Sequence, residues 1–201
     1  MDHHLDIRLM AVPEFSAPIL MNVLFSQLHL ALVDASYGDI AVSFPAMLGQ
    51  SLGNHLRIHG SVEALNRLEP LPWRKGLNEY MNVTAICPSP FSEQHCLVSR
   101  IQVKSNADRL RRRAMKRQGI TYQQACQQIP DTAAKQLDLP FVQIKSQSTQ
   151  QTFRLFIKQS LCAPLQADQA FSKYGLSNTA SVPWFSMSGL RKRSHYAKTN
   201  K

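Results

Sequence analysis

"HHLDIRLMA" (residues 3–11) is the stretch on which the fold turns. Leu5, Ile7 and Leu9 alternate with polar neighbours, the two-residue period of a strand with one face on a core. Pro13 and Pro18 mark a turn. Leu20, Val23, Leu24, Leu28 and Leu32 then recur at helical spacing and predict a helix over 18–34. "DIAVSF" (39–44) and "HLRIHG" (55–60) read as strands. Ser61 is placed to cap a short helix over 62–69, and "MNVTAIC" (81–87) reads as another strand. The resulting order, β-α-β-β-α-β, is the ferredoxin-like one.

"CPSPFSEQ" (87–94) is a proline- and serine-containing joint where a first domain would end. "LVSRIQVKS" (97–105) alternates again, with Leu97, Ile101 and Val103 on one face and Arg100, Gln102 and Lys104 on the other. Thr121 to Ile129 reads as a helix closed by Pro130. "FVQIK" and "FRLFIK" read as a hairpin around the polar loop "SQSTQQT" (146–152). The expected class is α+β: a ferredoxin-like domain over 1–90, a smaller domain over 91–185 with a basic helix and a β-hairpin, and a basic tail over 186–201.

An apolar fraction of 44% marks a globular chain rather than a disordered one. No apolar run reaches the roughly 18 residues of a membrane span, and the N-terminus lacks a signal-peptide layout, so no membrane partner and a cytosolic location are expected. The four cysteines, at 87, 96, 126 and 162, form no C-x-x-C pair and are expected to be reduced, mostly buried thiols.

The net charge of +10 is concentrated in two places. Residues 100–118 carry eight basic side chains (Arg100, Lys104, Arg109, Arg111, Arg112, Arg113, Lys116 and Arg117) against Asp108. Residues 186–201 carry five and no acid, which leaves the rest of the chain slightly acidic. Such localisation implies a polyanionic partner, with nucleic acid first. Within "SNADRLRRRAMKRQG" (105–119), Ser105 and Asp108 resemble a capping box and Gly119 is a stop signal. Arg109, Arg112, Arg113, Lys116 and Arg117 fall on one helix face, beside a narrow apolar stripe of Ala107, Leu110 and Ala114. No recognition-helix pairing for DNA accompanies it. A helix can enter the narrow A-form major groove of RNA only near an end or loop, which a short hairpin supplies. Arg100 and Gln102 are residue types that make bidentate contacts to bases.

The chain has no P-loop, no G-x-S-x-G and no H-E-x-x-H. Arg57 between His55 and His59 disfavours a metal there, and clustered carboxylates are absent, so neither metal nor cofactor is expected. Metal-free RNA cleavage would use the substrate's 2′-hydroxyl and a histidine base. His29 fits by position. It lies about 180° from Leu20 on the first helix, near Asn22 and Ser26.

The order and spacing of "MDHHLDIRL", "LMNVLFSQLH", "LRIHGS", "VSRIQVKSNADRLRRRAMKR", "IPDT", "LDLPFV", "SQST", "FRLFI", "YGLS" and "VPWF" resemble the CRISPR-associated endoribonuclease of type I-F systems over about 185 residues. The resemblance implies a ferredoxin-like domain and a second domain whose arginine-rich helix lies in the major groove of the CRISPR repeat RNA stem-loop. It implies that Arg100 and Gln102 read bases at the bottom of the stem. Phe153 would stack beneath the terminal base pair, although alternation alone would bury it with Leu155 and Ile157. His29 matches the family's general base and Ser146 the serine that positions the 2′-hydroxyl. Ser148 is the second serine of that loop, and Tyr174 matches the active-site tyrosine. Cleavage would fall at the 3′ base of the hairpin and leave 5′-hydroxyl and 2′,3′-cyclic phosphate ends. The mature guide RNA would be retained with the other subunits of the type I-F surveillance complex, or in some relatives with transposition proteins. The alternative is a non-catalytic RNA-hairpin scaffold. The family pattern ends at "PWF", so the tail is a departure from it.

Overall fold

The structure is a computed structural model and describes residues 1–10, 12–35, 38–102, 107–130, 137–146, 150–165 and 171–185. Lys104, Ser105, Ser148 and the tail from 186 lie outside the described residues.

The alternation at the N-terminus forms β1 (His3–Leu9), and α1 (Ala17–Ala35) follows. β2 (Ala41–Ser43), β3 (His55–Gly60), α2 (Val62–Leu68) and β4 (Met81–Val83) complete the first unit. The strands lie in the order β2-β3-β1-β4 and every pairing is antiparallel, which is the ferredoxin-like arrangement. Ser61 caps α2 by accepting from the Ala64 amide. The single strand expected over 81–87 is two pieces. After β4 the chain leaves the ladder, and β5 (Cys87–Pro88) rejoins β1 at His3 and His4.

The second sheet has the order β7-β8-β6-β9, again antiparallel. Its strands are β6 (His95–Ile101), β7 (Phe141–Lys145), β8 (Thr152–Cys162) and β9 (Val182–Pro183). β8 runs past the expected "FRLFIK" because its second half, "QSLC", is a central strand paired with β6 along its whole length. The basic helix is α3 (Ala107–Gln118), ended by Gly119 at φ 66°. Next comes α4 (Tyr122–Gln128), whose Thr121 and Gln124 form a capping box.

One apolar core runs through both sheets. Leu20, Leu24, Leu28 and Leu32 of α1 are buried as the helical spacing requires, joined by Met21 and Phe25. Val23 is instead exposed, on an outward stripe with Ile19, Leu30 and Val33. By length and composition α1 could cross a membrane, but here eight of its residues are buried within the protein. Asn22, on its polar face, accepts the Gln143 amide of β7 at 2.9 Å, so part of that face meets the second sheet. Gln159 of β8 both accepts from the Phe44 amide (2.9 Å) and donates to the Phe44 carbonyl (3.1 Å), a reciprocal bridge between the units.

In β6 the face that enters the core is Cys96 and Val98, not Leu97 and Ile101, which are only half-buried. Both faces of this strand carry apolar residues, and the buried Ile157 of β8, opposite Arg100 in the ladder, marks which of them is core. Arg100 therefore continues the core-facing side of its strand and emerges where the core ends. Among the cysteines only Cys96 is buried, and burial pushes its thiol up to about 12. Cys87, Cys126 and Cys162 are half-buried rather than buried, and all four are free.

The outer face of the first sheet is polar yet buried. Asp6 on β1 lies opposite Arg57 on β3 and accepts its guanidinium at 2.7 and 2.9 Å. Arg57 also donates to the Phe185 carbonyl at 3.0 Å, with its guanidinium 3.8 Å from the centre of the Phe185 ring. The His59 ring meets the Ser43 hydroxyl at 2.8 Å. Burial works to raise the Asp6 pKa, but Arg57 and His55 outweigh it and hold the carboxyl well below its usual range. Burial, reinforced by Arg57, holds His59 far below an ordinary histidine.

Candidate active site and RNA interface

His29 sits on the polar face of α1, half-buried where the first unit meets β7 and the turn at 172–175. Its Nδ1 lies 2.8 Å from the Lys173 carbonyl oxygen. A carbonyl only accepts, so Nδ1 carries the proton and Nε2 is the basic nitrogen. Tyr174 stacks on the imidazole with ring centres 4.0 Å apart and planes at 16°. Tyr174 is in a turn.

His29 lines a cleft of about 250 Å³ together with Ser26, Leu30, Ile144, Lys145, Ser146 and Gln150. Ser146 follows β7 directly. Its amide donates to the Gln151 carbonyl and its own carbonyl accepts from the Gln150 amide, both at 2.9 Å. These two bonds fix the root of the loop and hold Ser146 at the cleft beside His29. Gln150, at φ 56°, adopts the left-handed conformation that closes the loop.

Arg100 extends the group. Its guanidinium lies 5.8 Å from the ring centres of both Phe153 and Tyr174. Phe153 is half-buried at the start of β8, opposite Ile144, and packs against the edge of the core. The ring shares the core face of Leu155 but sits at the edge of that face. Gln102 is exposed just past the end of β6.

In α3, Arg109, Arg112, Arg113, Lys116 and Arg117 are all exposed. Arg111 differs. It is 7% exposed, its Nε donates to the Ile129 carbonyl at 2.9 Å, and with Ala107 it forms the buried line of the helix. The inward stripe is therefore centred on Ala107 and Arg111, with Leu110 and Ala114 half-buried beside it. Counting charge placed Arg111 among the RNA-facing cations. The carbonyl at the end of α4 draws it inward, and there it holds α4 against α3.

Sequence reasoning named Ser26 only as a neighbour of His29, and it missed Lys145, Gln150 and the Lys173 main chain. Only the last left a signal, the glycine of "KYGLS", which marks a turn. A larger opening, about 930 Å³, is lined by Met1, Phe91, Leu165 and Phe171 among others and contains none of the residues above.

An imidazole with one nitrogen engaged, an arginine 5.8 Å from two aromatic ring centres and a helix face of five exposed cations define the class: an α+β protein with a strongly basic helix. The comparison of sequences gives the particular family. Residues 4–185 match the family model described as CRISPR-associated protein (Cas_Csy4), and the chain belongs to that family. Two similar proteins are each named CRISPR-associated endonuclease Cas6/Csy4. One is from Escherichia coli (strain UTI89 / UPEC) and the other from Pseudomonas aeruginosa (strain UCBPP-PA14). Each is 46% identical over 187 residues, covering 92% of this chain and 100% of the relative.

Proposed function

We propose that this chain is an endoribonuclease that cleaves CRISPR repeat RNA at the 3′ base of its hairpin and then remains on the mature guide as a subunit of a type I-F surveillance complex. The observation that carries this reading is His29, bound through Nδ1 and stacked on Tyr174, beside Ser146 in the cleft. Nε2 removes the proton from the 2′-hydroxyl, the oxygen attacks the adjacent phosphorus, and the 5′-oxygen departs with a proton from solvent. The products are a 2′,3′-cyclic phosphate and a 5′-hydroxyl, and no metal is needed. Ser146 positions the attacking hydroxyl, with Ser148 assigned the same task. Tyr174 fixes the plane of the imidazole.

The five exposed cations of α3 take phosphates of the stem, with Lys104 as a further one. Arg100 and Gln102 contact the base pairs nearest the cut, and Phe153 stacks under the last of them. Arg111 is given a role in holding α3 to α4. Many phosphate contacts together with stacking explain product retention.

The test is incubation with a labelled repeat hairpin in EDTA, beside the same hairpin carrying 2′-deoxy at the nucleotide before the cut. Cleavage of the first and uncut binding of the second is the expected result. Binding of both with cleavage of neither would favour a non-catalytic scaffold.

Arg113→Ala tests the helix face. Binding should weaken, and the slope of log K against log salt should become shallower by about one. An unchanged slope would remove Arg113 from the RNA interface.

A further inference from the structure

We infer that the main-chain carbonyl of Lys173 is a positioning group that selects the reactive tautomer of His29 before RNA arrives. The inference rests on His29 being the general base. A histidine open to water favours the proton on Nε2, and that form cannot accept a proton there. The Lys173 oxygen, 2.8 Å from Nδ1, reverses the preference. When Nε2 takes the 2′-hydroxyl proton, the same bond becomes charge-assisted and stabilises the imidazolium that forms.

The carbonyl is held by a turn fixed on several sides. The Gly175 amide donates to the Ser172 carbonyl at 2.8 Å, and the Ser172 amide to the Leu176 carbonyl at 2.9 Å. The Gly175 carbonyl accepts from the Val42 amide of β2 at 3.0 Å, which ties the turn to the first sheet. The Lys173 Nζ donates to the Val33 carbonyl at 3.2 Å, which ties it to the helix bearing His29. Gly175 has φ 68°, a conformation most side chains resist. A Cβ there would lie 2.9 Å from Val42 Cγ1 and 3.2 Å from the Val42 amide nitrogen. The glycine thus permits the close approach to β2 that holds the turn and, with it, the Lys173 carbonyl two residues before.

The experiment is ring-nitrogen NMR of protein with labelled histidines, without RNA and at a pH of about 8, where an ordinary imidazole is neutral. A His29→Gln sample assigns the signal. His29 is expected in the Nδ1–H form. In Gly175→Ala the signal should move toward the Nε2–H form, and single-turnover cleavage should fall by roughly ten-fold or more. Hairpin affinity in that variant should stay within about two-fold. An Nε2–H signal in the unmodified protein overturns the inference, as does a Gly175→Ala protein in the Nε2–H form that cuts at the normal rate. Loss of cleavage in Gly175→Ala with the Nδ1–H form retained overturns it too. If Gly175→Ala does not fold, the tautomer of the unmodified protein decides alone. Normal cleavage by His29→Ala would instead refute the general-base reading, whatever the tautomer.

Discussion

His29→Ala is expected to lower single-turnover cleavage of the repeat hairpin by about 10²- to 10⁴-fold while leaving hairpin affinity unchanged. The separation follows from where the groups sit. His29 comes from α1, whereas the exposed cations belong to α3, and Arg100 and Phe153 belong to the second sheet. Removing the imidazole takes a stacking partner from Tyr174 but touches none of the buried leucines of α1. The measurement pairs a cleavage time course with equilibrium binding of the same RNA. Cleavage at the normal rate would take His29 out of the chemistry. Affinity lost in parallel with rate would make it an RNA anchor instead.

The largest stability effect is expected at Asp6. Asp6→Ala leaves the Arg57 guanidinium buried without its carboxylate, and breaking a buried pair in this way costs about 3–5 kcal/mol. Urea unfolding at neutral pH should show it as a lower midpoint with an unchanged slope. Replacing both partners, as Asp6→Leu with Arg57→Met, should recover most of the loss, because no charge is then stranded. A loss below about 1 kcal/mol in Asp6→Ala would mean that Arg57 reaches water and that the pair is not closed in solution.

The same cluster sets the acid limb of stability. His59 and His4 have folded pKa values below the ordinary one, chiefly through burial. The unfolded chain therefore binds their protons first, and stability should begin to fall as pH drops below about 6.5. Asp6 is also depressed in the folded state, so its contribution is present above an ordinary carboxyl value and is lost as pH falls below about 4. Asp6→Asn should keep the first decline and lack the second. Identical acid limbs in the two proteins would contradict the assignment.

The alternation of Leu5, Ile7 and Leu9, the leucine spacing of α1 and the Ser61 cap were legible in the sequence because each is a local signal. What was illegible depended on neighbours distant in the chain. β6 offers apolar residues on both faces, and only its pairing with β8, which sets the buried Ile157 opposite Arg100, shows which face is core. Arg111 reads as one more cation until the Ile129 carbonyl is placed beside it. Val23 fits the apolar period of α1 and still points out. At the site, His29 could be chosen for facing away from the leucines. Its stacking on Tyr174 and its bond to Lys173 span more than 140 residues, and no periodicity encodes them.

Arg57 grips the end of the family-matched region through the main-chain oxygen of Phe185 and the face of its ring. A clamp of that kind reads a peptide bond and an aromatic plane, and it is blind to whatever is spliced on afterwards. The position after 185 is thus a permissive seam. A reporter attached there is expected to leave the buried cluster beneath unchanged.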